Sequence, residues 1–141
     1  MNNTAILDEH LHAENRHDLD AIMATYVEDP RVTINGQNFT GASQVRVFHD
    51  RFGFGGQGAF SNVNVVERRR HSCGLRIIIE QTLSGIHTGK WQGIEATGRA
   101  FSVPVCTIYD LREDGKLIAE DVYFDASSIF RQLGADRLRG R

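Results

Sequence analysis

The apolar positions change their period along the chain. From Ile6 to Tyr26, the residues Leu7, Leu11, Leu19, Ile22, Met23 and Tyr26 recur near one face at helical spacing, and Arg16-His17-Asp18 interrupts the run. The pattern predicts a helical segment in two pieces. After Asp29-Pro30, the β-prone piece Val32-Thr33-Ile34 leads into Asn35-Gly36, a hairpin signal. Beyond Gly41 the stripe Val45, Phe48 and Phe52 predicts a second helix over 42–52. From Phe60 the period becomes two, and strands are predicted over 62–69, 75–84, 100–111 and 117–124. The turn Glu113-Asp114-Gly115-Lys116 joins the last two as a hairpin, and a short helix over 127–133 ends at Gly134, a C-cap residue type.

Helices followed by a long antiparallel sheet describe an α+β domain whose sheet hides one face under the helices, curving into a cone with an interior. The 141 residues carry no repeat or linker and are read as one domain, 1–141, able to bury roughly 70% of the surface of the unfolded chain. The glycine-rich stretch FGFGGQGAF at 52–60 follows a helix and lacks a Lys-Ser or Lys-Thr, so it reads as a connection and not a phosphate loop. A net charge of -2 gives no field for nucleic acid or anionic membrane, and Arg68-Arg69-Arg70 and the tail Arg137 to Arg141 are too short to change that. No apolar run approaches the ~20 residues of a bilayer span, and the start MNNTAILDEH is not leader-like, so the chain is expected to be cytoplasmic. Cys73 and Cys106 show no CxxC spacing and are expected to be reduced thiols buried in strands.

Strand alternation selects the candidate chemistry. In the strand ending at His87, the set Leu75, Ile77, Ile79, Gln81, Leu83, Gly85 and His87 shares the core face. His87 then stands where a pocket would open, as a satisfied structural histidine, a general acid or base, or a metal ligand. Glu14 follows Leu7 and Leu11 on the inner stripe of the first helix and should project toward the sheet, paired, neutralised or partly wet, with His10 as a local partner one turn earlier. A metal stripe of His10, Glu14 and His17 would need a continuous helix, all three residues inward and a fourth ligand, and no metal site is assigned. Phe101, Val103, Val105, Thr107 and Tyr109 share one face, and on the last strand either Glu120 or Asp121 points inward.

Three segments carry a resemblance: AENRHDLDAIMATYVEDP near the start, GIHTGKWQGIEATGRAFSVP in the middle and DGKL with EDVYFDASSIFRQLG at the end. In this order and spacing they resemble the SnoaL-like branch of the superfamily named after the nuclear transport factors, over about 6–134. The resemblance implies a cone-shaped α+β barrel, a homodimer packed through the sheet, and an apolar pocket between helices and sheet. It also places Glu120, Val122 and Phe124 inward. At the positions of the polyketide cyclases' acid/base aspartate and its histidine partner, this chain has Val122 and Thr107. The Arg-x-Asp pair of the epoxide hydrolases is absent from VPVCTIYD, whereas His87 matches the histidine of the cyclase GxHxG segment.

Two readings of function follow, with a third beside them. The first is an isomerase, cyclase or hydrolase type of enzyme using acid/base chemistry on a small apolar carbonyl compound. In it His87 or Glu14 removes a proton, Tyr26 or Glu120 donates to the enolate, and Phe48, Trp91, Phe101, Thr107, Tyr109 and Val122 line the site. Enolate chemistry needs only a base and an oxyanion partner, so no cofactor is assigned. The second is a binder of a small apolar or aromatic ligand that lacks the chemistry, which the Val122 and Thr107 replacements favour. The third is a protein-interaction dimer.

Overall fold

The computed structural model describes residues 3–135, and the basic tail at 137–141 lies outside the described residues. Helices α1 (Ala5–Asn15) and α2 (Leu19–Ala24) are the two predicted pieces. The chain breaks between them because His17 adopts φ 61°. Asp18 then starts α2 by accepting a hydrogen bond from the Ala21 amide at 3.0 Å. The histidine ring of the break is used as a tether, its Nε2 lying 2.8 Å from the carbonyl oxygen of Val63.

Strand β1 (Tyr26–Ile34) is longer than the Val32-centred piece expected from sequence. Pro30 lies within it, in the stretch between Tyr26 and Arg31 where the register with β6 shifts, and a residue without an N–H fits only where the ladder is interrupted. Asn35 (φ 48°) and Gly36 (φ 88°) turn the chain into β2 (Gln37–Thr40), and α3 (Gly41–Phe52) follows. The long strands are β3 (Phe60–Cys73), β4 (Arg76–His87), β5 (Ala100–Leu111) and β6 (Leu117–Phe124), before the short α4 (Ala126–Gln132).

These strands form one open sheet in the order β2-β1-β6-β5-β4-β3, with β1 parallel to β6 and the other neighbours antiparallel. Irregularities in β3, between Ser61 and Asn64 and between Glu67 and Arg69, bend the sheet around the helices, as bulges do. Asn15 extends α1 into this edge: its amide donates to the Val65 carbonyl at 2.9 Å and accepts from the Val65 amide at 2.8 Å, imitating a paired strand.

The alternation read in β4 is observed, with Ile77, Ile79, Gln81, Leu83, Gly85 and His87 buried and the intervening residues turned outward, although Leu75 is exposed just before the strand begins. On β5 the set Phe101, Val103, Val105, Thr107 and Tyr109 is buried as expected. The cysteines depart from expectation. Cys73 ends an edge strand and is exposed, and Cys106 falls on the outward parity of β5 and is only half-buried; both are free. Truncating the fully buried Ile79 to Ala is expected to lower unfolding stability by about 2–5 kcal/mol, read as a fall in the urea midpoint with little change in slope.

Candidate functional site

Two helices deliver polar residues to the concave face of the sheet because each carries one within an otherwise apolar stripe. On α1 the buried residues include Leu7, His10, Leu11 and Glu14, and on α3 they are Val45, His49 and Phe52. Opposite them stand Gln81 on β4, Thr107 and Tyr109 on β5, and Glu120 on β6, all buried. The β5–β6 register makes Tyr109 and Glu120 direct cross-strand partners, with Thr107 opposite Val122.

His10 is the hub. Thr25 donates its hydroxyl proton to the Ile22 carbonyl at 2.6 Å, which leaves its Oγ1 to accept from His10 Nδ1 at 2.9 Å. The other nitrogen, Nε2, lies 3.0 Å from Glu120 Oε1 and 3.3 Å from Glu14 Oε2, set between them. Burial by itself would drive this imidazole to the neutral form, but the charges of Glu14 and Glu120, with their hydrogen bonds, outweigh it and raise the pKa to about 10. Burial likewise opposes ionisation of Glu14, and His10, first by charge and then by hydrogen bonding, overrides it with help from His49 to bring its pKa to about 2. A buried imidazolium thus sits between two carboxylates.

The remaining donors can be assigned by elimination. Tyr26 donates to Glu120 Oε1 at 2.5 Å. His49 Nδ1 faces the Val45 carbonyl at 2.8 Å, an acceptor only, so Nδ1 carries a proton and Nε2, 3.7 Å from Glu14 Oε2, is the atom left to exchange one. Thr107 donates to Gln81 Oε1 at 3.1 Å and Gln81 Nε2 donates to the Tyr109 oxygen at 3.2 Å. Tyr109 thus accepts from Gln81, and among the described residues no hydrogen bond donated by its own hydroxyl is found, so its proton can point at a ligand. Burial, and then the nearby negative charge of Glu120, raise the pKa of this phenol well above its usual value, so it is a donor and not a phenolate.

A cavity of about 560 Å³ opens over this group, a size suited to a small organic ligand. Glu14, His49, Gln81, Thr107, Tyr109 and Glu120 form its polar floor, while Phe48, Phe52, Trp91, Phe124 and Phe130 belong to its walls. Among the residues expected from sequence, Glu14, Glu120, Phe48, Trp91, Thr107, Tyr109 and Val122 line it. Tyr26 lies behind the floor, beyond Glu120, and Phe101 lies behind the wall with its ring 4.8 Å from that of Phe60.

His87 is fully buried, yet it is not among the cavity-lining residues. Its Nδ1 accepts from the Thr97 amide at 3.2 Å and lies 3.0 Å from the Thr97 hydroxyl. Its backbone pairs with Gly98 and Arg99, closing the loop that carries Trp91 to the cavity, where Trp91 stacks on Phe130. Burial lowers the pKa of His87, in keeping with a neutral ring that pins a loop. The place expected for His87 at the cavity is held by His49, with His10 buried behind the floor. Both were legible as members of an apolar helical stripe, Leu7-His10-Leu11-Glu14 and Val45-His49-Phe52, the same signal that selected Glu14.

One ring nitrogen each from His10 and His49 and a Glu120 oxygen lie within 4.8 Å of one another, close enough to be drawn onto one metal ion. An ion entering there would have to displace the proton that His10 holds. His17, the third member of the considered stripe, is turned to β3 instead.

The cluster predicts a domed stability profile. His10 holds its proton more tightly when folded, so its contribution is complete below pH about 6.5 and is lost as pH rises toward about 10. Glu14 is the reverse case, contributing fully above pH about 4.5 and losing the contribution as pH falls toward about 2. Urea midpoints measured across pH are expected to fall on both flanks, and the alkaline fall is expected to flatten in His10→Gln. His87→Ala is expected to speed amide exchange at Thr97, Gly98 and Arg99 while leaving that profile in place.

Residues 7–121 match the family model for the SnoaL-like domain. No curated protein sequence matches the chain. A hypothetical protein of Catenulispora acidiphila with a ketosteroid isomerase-like fold, solved in complex with trimethylamine, is 21% identical with a TM-score of 0.78, the match covering 96% of this chain and 98% of that one. A candidate polyketide cyclase of Xanthomonas campestris gives a TM-score of 0.81 at 22% identity over 92% and 95% of the two chains. An LEH-like epoxide hydrolase of M. tuberculosis gives 0.72 at 20% identity over 92% and 87%. These likenesses establish the fold, and the extent of the family match, together with the helix-covered open sheet, establishes the affiliation: the chain belongs to the SnoaL-like domain family.

Proposed function

We propose that the protein catalyses proton transfer at a carbon next to a carbonyl, the step common to cofactor-independent isomerases and cyclases, on a small and largely apolar compound. The observation that carries this reading is the pairing of Tyr109 with Glu120: an uncommitted phenolic proton and a carboxylate side by side on the floor of an apolar cavity. The carbonyl oxygen would take the Tyr109 hydrogen bond, which strengthens as negative charge develops in a site shielded from water. Glu120, held by Tyr26 and His10, would remove the adjacent proton and, protonated in that step, return it to the enolate at the accepting carbon, with Glu14 and His49 beside it on the same floor. His10 acts from behind, keeping Glu14 ionised in a place where burial alone would protonate it. Support for the coarse reaction class also comes from the neighbours, described as a polyketide cyclase candidate and as an LEH-like epoxide hydrolase.

One observation favours a second reading, a noncatalytic binder: Val122 and Thr107, at the positions of the cyclase catalytic pair, both line the cavity without acid/base groups. A partner copy would pack on the outer face of the sheet, where Tyr123 is exposed opposite Cys106, and would leave the cavity chemistry to each subunit.

The test is hydrogen exchange in D2O with flat aromatic ketones and steroid enones, followed by mass analysis. Enzyme-dependent uptake of deuterium beside the carbonyl is expected, falling by about 100-fold or more in both Tyr109→Phe and Glu120→Gln when each is folded. Ligands recovered without deuterium, after a thermal shift shows that they bind, would replace this reading with the binder.

A further inference from the structure

Charge along the cavity is sorted by depth. The carboxylates Glu14 and Glu120 are at the floor, 6% and 4% exposed, while the cations among its lining residues, Arg51 and Lys90, are exposed to solvent. The backbone brings the two cations to one margin. The Ala59 amide donates to the Arg51 carbonyl at 2.8 Å, and the Thr88 and Gly89 amides donate to the Ala59 carbonyl at 3.1 and 3.0 Å, stitching the end of α3 to the loop that follows β4. The approach is so close that a Cβ on Gly89 would stand 2.2 Å from the Gly58 carbonyl oxygen.

Neither cation has a good internal partner. Arg31, Arg70, Arg76 and Arg112 each hold a carboxylate at 2.7–3.2 Å. Arg51 has no carboxylate within 4.0 Å among the described residues, and Lys90 reaches only the exposed Glu95, at 4.0 Å. Two under-compensated cations beside the opening of a cavity with anionic groups at its base form an oriented field, in a chain whose net charge is -2.

We infer that the cavity takes an amphipathic anion: an apolar, ring-sized body among the aromatic walls, with a carboxylate, sulfonate or phosphate held at the margin by Arg51 and Lys90. Repulsion from Glu14 and Glu120 would disfavour the reversed pose, so the anionic group fixes which end of the molecule meets Tyr109. This deepens the acid/base reading by naming the substrate class, and it rests on that reading for the use of the cavity.

A matched pair of probes tests it without turnover. 1-Anilinonaphthalene-8-sulfonate and N-phenyl-1-naphthylamine share an aromatic body, and only the first carries a sulfonate. Energy transfer from Trp91, the sole tryptophan and a cavity-wall residue, reports occupancy. In the double variant Arg51→Gln, Lys90→Gln the sulfonate is expected to bind roughly five- to tenfold more weakly at low salt, the effect of two exposed cations, with the neutral probe changed less than twofold. Raising salt from ~20 to ~500 mM is expected to weaken the sulfonate in the wild type and not in the variant. Equal weakening of both probes, no change in either, or no binding of the sulfonate to the wild type would overturn the proposal. The deuterium-exchange result stands apart: exchange with an unselective margin would sink only the anion, and a selective margin without exchange would sink only the acid/base reading.

Discussion

The interior of this protein is organised around one buried cation. His10 carries a proton between two carboxylates in a place nearly free of water, and removing the three charges from solvent costs several kcal/mol per ion before any attraction is counted. The attraction is supported by further hydrogen bonds around the cluster: His10 Nδ1 to Thr25, Thr25 to the Ile22 carbonyl, and Tyr26 to Glu120. A half-satisfied version would be worse than an apolar core. The cluster joins α1, the turn after α2, and β6, so satisfying it also fixes how the helices sit on the sheet.

Function and stability compete in the same few residues. An ion pair kept only for stability could be replaced by well-packed hydrophobic groups with little loss. Here the paired carboxylates open onto an apolar cavity, and beside them a chain of hydrogen bonds from Thr107 through Gln81 ends on a cavity-lining tyrosine that accepts from Gln81 and, among the described residues, donates to no partner. A pocket that binds by shape alone does not require such an ending. A polar floor, aromatic walls and a cationic margin give the cavity a direction, which a pocket lined only by hydrophobic groups lacks.

The sequence was most readable where one local rule acts alone. Period-two alternation in β4 and β5 placed Ile77, Ile79 and Gln81, and Phe101 to Tyr109, on the buried face, and the helical stripe of α1 placed Glu14 inward. It was less readable where two rules meet. His87 has the parity of a pocket residue, but parity says only that a side chain faces the sheet's concave side, and its ring is engaged by Thr97 and does not line the cavity. Val45-His49-Phe52 carried the same signal as the stripe with Glu14, yet no local rule tells which of several inward polar residues will converge.

The sequence by itself determined the order of elements, the faces they bury and the inward direction of Glu14, because side-chain period follows from backbone geometry within a single helix or strand. Only the tertiary structure decided that residues more than a hundred positions apart, His10 and Glu120, share a proton, and that Tyr109 keeps one to spare. Those outcomes depend on register across β1, β5 and β6 and on the angle at which α1 and α3 cross the sheet, and both are set by packing of the whole core at once.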